Sequence, residues 1–68
     1  MKHLTGKEMC RGLERHGWRL ARIKGAHHIY ERADALRPVP VPVHGNALLK
    51  TGVQRAIMRQ AGLTDSDL

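Results

Sequence analysis

Pro38-Val39-Pro40-Val41-Pro42-Val43 is the stretch that decides how this chain folds. Proline and valine alternate with a period of two, which predicts a β-strand with valine along one face. Successive amides of a strand point to opposite lateral sides, so prolines at every second position remove donors along one edge only. The valine amides remain available to one neighbouring strand. The stretch therefore predicts an edge strand whose outer side is blocked, with a polyproline-type loop as the alternative.

The residues before this strand predict its partners. Trp18 to Ile23 mixes apolar and basic residues with β-leaning character, and His27 to Arg32 reads as a second strand. Gly25 between them offers a turn. These two segments predict a β-hairpin.

A helix is predicted at each end of the chain. Thr5-Gly6-Lys7-Glu8 has the form of a capping box, Leu4 and Met9 occupy the positions of a hydrophobic staple, and Gly17 is a left-handed stop, which predicts a helix over 6–16. Its apolar face contains Met9, Cys10 and Leu13, and its basic face contains Lys7, Arg11 and Arg15.

The second helix is predicted from similar signals. Thr51-Gly52-Val53-Gln54 repeats the form of a capping box, and Gly62 ends the helix. Its apolar face is predicted to contain Val53, Ile57, Met58 and Ala61, with Arg55 and Arg59 opposite. The last residues, 64–68, are compatible with one more frayed turn or with disorder.

The element order is therefore helix, three strands, helix, which predicts an α+β fold. Two helices on one face of a three-stranded antiparallel sheet would close one core from these parts. Because the chain has 68 residues, we expect a single domain over 1–68.

Charge indicates the class of partner. Twelve Lys and Arg stand against six Asp and Glu, giving a net charge of +6 spread along the chain, which favours nucleic acid. One Trp, one Tyr and no Phe argue against a surface that stacks unpaired bases.

The single cysteine, Cys10, excludes an intrachain disulfide, and no apolar run resembles a signal peptide or a membrane span. We expect a cytoplasmic protein without a membrane association.

Lys24-Gly25-Ala26-His27-His28-Ile29-Tyr30 is the stretch that indicates chemistry. Imidazole exchanges protons near neutral pH, and a neighbouring cation can hold a phosphate. Cleavage of RNA needs little else, because the 2′-hydroxyl of the substrate is the nucleophile. Adjacent histidines on a strand point to opposite faces and cannot chelate one ion together. No histidine or cysteine spacing is typical of zinc, so we expect no metal site. The alternative is that both histidines only cap the hairpin.

The chain as a whole resembles the HicA family, the small toxins of HicA and HicB toxin–antitoxin pairs. Four features carry the resemblance, in the order and at the spacing of the family, over about residues 4 to 64. They are Gly17-Trp18 after the first helix, the histidine stretch 24–30, Val41-Pro42-Val43-His44, and Leu49-Lys50-Thr51-Gly52 with the segment 55–63.

The resemblance implies a fold like a double-stranded RNA-binding domain and an mRNA interferase that a HicB-type antitoxin neutralises. It implies that His27 is the catalytic residue, with Ala26 at the position where the family usually has Ser or Gly. His28 varies in the family and is expected to be structural or auxiliary. Together with the charge, the resemblance predicts RNA contacts from Lys24, Gly25, His28, His44 and Lys50. No cofactor is implied.

Two other functions are compatible with the sequence. A non-catalytic double-stranded RNA-binding module would use the basic residues without chemistry. A small structural protein that holds an acidic regulator would use the charge without RNA.

Overall fold

The computed structural model describes residues 2–68; Met1 lies outside the described residues. The elements are α1 (Gly6–Arg15), β1 (Arg19–Lys24), β2 (His27–Glu31), β3 (Val39–Pro42), α2 (Thr51–Ala61) and a 3₁₀ turn (Asp65–Asp67). The three strands form one antiparallel sheet in the order β1-β2-β3. The α+β fold with this element order, predicted from the sequence, is confirmed.

Helix α1 begins at the predicted residue and ends at Arg15, one residue earlier than predicted. The Glu8 amide donates to the Thr5 hydroxyl at 3.1 Å, and the Thr5 amide donates to the Glu8 carboxylate at 2.9 Å, which completes the capping box. Gly17 follows the helix with φ of +88°, a conformation that glycine adopts without strain. The predicted apolar residues are all buried: Met9, Cys10 and Leu13.

The start of α2 differs from the prediction. Lys50 is the N-cap, Thr51 is already helical, and no side chain caps the first turn, so the predicted capping box is wrong. Gln54 turns inward instead: it is fully buried, and its side-chain oxygen accepts a hydrogen bond from the Leu4 amide at 3.0 Å. Its side-chain amide donates to the Lys2 carbonyl. The Gln54 side chain is therefore hydrogen-bonded to the N-terminal segment and does not cap the first turn of α2.

The remainder of α2 follows its pattern with one exception. Val53 is 36% exposed, so its predicted place on the buried face is wrong, whereas Ile57, Met58 and Ala61 are buried. Gly62 ends the helix with φ of +70°. Beyond it, the 3₁₀ turn is capped by Thr64 and Asp67, and Leu68 packs against the core.

Strand β3 is an edge strand. It pairs with β2 through partners that include His28 with Val41 and Tyr30 with Val39, and the polyproline-type loop is excluded. The Val43 amide donates to the Ala26 carbonyl at 2.7 Å, so a valine amide faces the neighbouring strand as predicted. Alternation then puts the proline nitrogens on the outer side.

The core lies between the helices and one face of the sheet. Its most buried members include Met9, Leu13, Trp18, Tyr30, Val39 and Val41. The Tyr30 hydroxyl donates to the Glu14 carboxylate at 2.7 Å and links β2 to α1. Burial, followed by this hydrogen bond, raises the pKa of Tyr30, so the hydroxyl remains a donor throughout the neutral range.

Candidate active site

The central strand β2 defines the two faces of the sheet. Tyr30 lies in the core, so its side of the sheet is called the helix face. Side chains alternate along a strand, which places His27, Ile29 and Glu31 on the opposite side, called the open face. The cross-strand register adds to the open face Arg19, Arg22 and Lys24 from β1, and Pro40 and Pro42 from β3.

His27 lies at the start of β2 on the open face, where it is exposed. Its cross-strand partners are Lys24 on one side and Pro42 on the other. Directly opposed side chains in antiparallel strands have Cβ atoms about 4.5–5.5 Å apart, so the imidazole has a cation on one flank and an apolar ring on the other. None of the side-chain hydrogen bonds within residues 2–68 involves the His27 ring. Both ring nitrogens are therefore free to meet a substrate.

His28 lies on the helix face. Its partners are Ile23 and Val41, and it is half-buried. The prediction that the two histidines separate onto opposite faces is confirmed. His28 cannot approach a group bound beside His27 on the open face without leaving the sheet.

Gly25 and Ala26 form the turn that brings Lys24 and His27 together. Gly25 has φ of +59° and Ala26 has a negative φ, which fits a type II′ hairpin turn with glycine at its first central position. A Cβ built on Gly25 would meet nothing within 4 Å, so the glycine is needed for its conformation and leaves the backbone accessible.

His44 and Lys50 lie outside the strands and are both exposed. The hydrogen bond from Val43 to Ala26 brings the residue before His44 beside the hairpin turn. Lys50 is placed beside the start of α1, because the Leu49 amide next to it donates to the Leu4 carbonyl at 2.8 Å. The structure thus groups His44 with the turn of Lys24, Gly25 and His27, and anchors Lys50 to α1.

Arg19 and Arg22 are open-face cations that the sequence did not single out. A β-bulge at Ala21 shifts the register, so that Leu20 pairs with Tyr30 and Arg22 pairs with Ile29. Arg22 shares the face of Lys24 and His27 by regular alternation, and the bulge brings Arg19, which a regular strand would place on the opposite face, to the same side. Alanine is not a residue that indicates a bulge, so the sequence pattern could not predict this register shift.

These cations lie close to a single carboxylate on the open face. Arg22 and Glu31 form an ion pair of 3.7 Å whose side chains are 61% and 54% exposed. An exposed pair of this kind is weak. Arg22 therefore keeps most of its capacity to bind another anion.

Cys10 and the side chains that could bind a metal ion are the other groups whose chemistry bears on the site. Cys10 is buried, and burial raises the pKa of its thiol, which keeps it protonated as the predicted small hydrophobe. No group of three His, Cys, Asp or Glu side chains in residues 2–68 could hold a metal ion. A cavity of about 570 Å³ lies near Trp18, Arg32 and Arg59, and His27 is not part of its lining. His27 instead stands on an exposed sheet surface, which suits a polymer lying across it.

None of the helices in residues 2–68 is long and apolar enough to cross a membrane.

Comparison with known proteins supplies a family. A search of curated proteins gave no match. The family model described as HicA toxin of bacterial toxin–antitoxin systems matches residues 6–63, which run from the first residue of α1 past the end of α2. The match includes both helices, the sheet and the histidine turn. The chain belongs to the HicA toxin family.

Proposed function

We propose that this toxin is a metal-independent endoribonuclease that cleaves mRNA with His27 as its catalytic residue. The observation that carries the proposal is the position of His27: exposed on the open face, with free ring nitrogens and Lys24 directly opposite. Membership of the HicA toxin family supports the same proposal.

His27 acts as the general base. It takes the proton of the 2′-hydroxyl while the 2′ oxygen forms a bond to the adjacent phosphorus, and the bond from phosphorus to the 5′ oxygen breaks. The leaving 5′ oxygen takes a proton from water or from the imidazolium. The nucleophile belongs to the substrate, so no metal-bound water is needed to generate one.

Cations stabilise the charge that builds on the phosphate oxygens. Lys24 is the nearest by register, and Arg22 and Arg19 continue the positive charge along β1 on the same face. Gly25 leaves backbone open to a phosphate, and His44 and Lys50 extend the contact with RNA beyond the strands. His28, from the helix face, supports the hairpin instead of the chemistry.

A HicB-type antitoxin neutralises the toxin. A partner that covers His27 and presents carboxylates to the open face removes both access and electrostatic attraction. The excess of positive charge favours such an acidic partner.

The test compares single-stranded RNA with the same RNA carrying 2′-deoxy substitutions, in EDTA, using the purified chain, His27→Ala and His28→Ala. We expect the chain to cleave only the 2′-hydroxyl substrate and His27→Ala to lower the rate by about 10²–10⁴-fold. His28→Ala, on the other face, should retain most of the activity if its melting temperature shows that it is folded. Cleavage that survives in His27→Ala would refute the assignment.

A non-catalytic double-stranded RNA-binding module is the second candidate. It is favoured by the exposed cations that both helices present away from the open face, namely Lys7, Arg11, Arg15, Arg55 and Arg59. Tight binding of duplex RNA with no cleavage, unchanged in His27→Ala, would support this function instead.

A further inference from the structure

The two edges of the sheet are built differently. The outer side of β3 carries prolines and has lost donors, whereas β1 at the other edge has no proline and all six of its residues are exposed. An edge with free donors and acceptors is a template for another strand. The sheet is therefore closed to strand addition on one side and open on the other.

The pairing register shows which backbone groups of β1 are free. Antiparallel partners alternate between pairs that exchange hydrogen bonds and pairs that do not. Lys24 and His27 flank a two-residue turn and form a hydrogen-bonded pair, as does Arg22 with Ile29 further along. The N–H and C=O groups of Leu20 and Ile23 consequently point outward, away from β2.

The side chains of Leu20 and Ile23 are also exposed to solvent. Leu20 is 44% exposed and Ile23 is 57% exposed, although both lie on the helix face. The bulge at Ala21 brings them to one face, since residues three apart in a regular strand would separate. The edge thus presents free backbone groups and an apolar pair together.

On the other face of the same strand lie three cations, Arg19, Arg22 and Lys24. A second copy pairing antiparallel through β1 would set these cations against each other, which is destabilising. The bulge and the charges together protect the edge from self-association. The three cations attract a strand that carries carboxylates instead.

We infer that β1 is a docking edge for an extended segment of a partner protein in which acidic and apolar residues alternate. The segment adds to the sheet as a fourth strand. Its apolar side chains cover Leu20 and Ile23 on the helix face, and its carboxylates meet Arg19, Arg22 and Lys24 on the open face. Backbone hydrogen bonds give affinity, and the alternating side chains give specificity.

Docking at this edge has a consequence for the site, and this step rests on the proposed function. The carboxylates of the added strand would occupy the cations beside His27 that a phosphate of RNA would need. Strand addition would then inhibit RNA binding without any contact to the imidazole itself.

The test uses a short blocked peptide that alternates glutamate and valine, titrated into the isotopically labelled chain. We expect amide shifts and slower hydrogen exchange at Leu20 and Ile23, with no change in exchange along β3. Two control peptides separate the contributions: one has the same composition in two blocks, and one alternates lysine and valine. Neither should bind, because the first lacks the alternation and the second has the wrong charge.

Ile23→Pro removes one backbone donor from the outer side of β1, as the prolines do in β3. Ile23→Thr is its matched control, since threonine keeps the amide donor and the β-propensity. The proline variant should bind the peptide roughly tenfold more weakly than the threonine variant, as expected for one lost hydrogen bond. If Ile23→Pro does not fold, replacing the amide of residue 23 by an ester through chemical synthesis removes the donor while keeping the isoleucine side chain.

Three results would overturn the inference: no protection at Leu20 and Ile23, equal binding of the block peptide, or equal affinity of the proline and threonine variants. Protection of these amides by RNA but not by the peptide would assign the edge to RNA instead. Peptide binding is measured without cleavage, so failure of the endoribonuclease proposal would leave this result unchanged, and the reverse also holds.

Discussion

Gly6 sets how closely helix α1 approaches the sheet. A Cβ at this position would overlap the carbonyl oxygen of Pro42 and lie 3.0 Å from the Cα of Val43. Both neighbours are backbone atoms, which cannot rotate aside, so a side chain would have to push the helix away from the end of β3. The residue is buried.

We expect Gly6→Ala to destabilise the fold by about 1–3 kcal/mol, the usual range for overpacking, measured as the free energy of unfolding in urea. Gly52→Ala is the matched control, because it lies in the first turn of α2 and a Cβ there meets nothing within 4 Å. That variant should be unchanged or slightly more stable, since alanine favours the helix. Equal stability of the two variants would contradict the close approach of α1 to β3.

At the scale of elements, two carboxylates hold the ends of short helical segments. The hydrogen bond from the Thr5 amide lowers the pKa of Glu8 below its ordinary value, and the bond from the Thr64 amide does the same for Asp67. In both cases the unfolded chain binds protons more tightly than the folded one. The resulting stability is present above the ordinary pKa values and is lost as the pH falls through the lowered ones.

We therefore expect the melting temperature to decline as the pH falls below 4.5, the ordinary pKa of Glu8. Glu8→Gln should show a shallower decline, because a glutamine at this position keeps the capping box through its neutral side-chain oxygen. The measurement is thermal unfolding by circular dichroism across a series of pH values. Parallel curves for the two proteins would show that Glu8 does not contribute to the acid sensitivity.

At the scale of the whole molecule, the net charge of +6 is divided between two sides. Arg19, Arg22 and Lys24 lie on the open face with His27, and the cations of the helices lie on the other side of the sheet. The proposed endoribonuclease uses the first group, and a duplex-binding module would use the second. Charge alone does not distinguish them.

Substituting one cation from each side distinguishes the two. We expect Arg22→Gln, made together with His27→Ala to prevent cleavage, to weaken binding of single-stranded RNA and to reduce the salt slope by about one. Arg55→Gln, in the same background, should leave both quantities nearly unchanged. Fluorescence anisotropy over a salt series measures them. The reverse pattern would place RNA on the helices and favour the duplex-binding function.

Features that depend on neighbouring residues could be predicted from the sequence. The alternating prolines identified the edge strand, Thr5 and Glu8 identified the start of α1, and Gly25 identified the hairpin turn. Alternation along β2 separated His27 from His28. In each case the signal and its structural effect lie within a few residues of each other, so local backbone geometry is enough to connect them.

Which histidine faces outward follows only from packing, since it depends on which side of β2 lies under the helices. Packing also decided the bulge at Ala21, which brings Arg19 to the face of His27, and the inward turn of Gln54, which replaced a predicted cap. These outcomes arise from cross-strand register and from contacts between residues far apart in the chain. A local pattern cannot specify them, because their free energy is gained only when distant segments have already packed together.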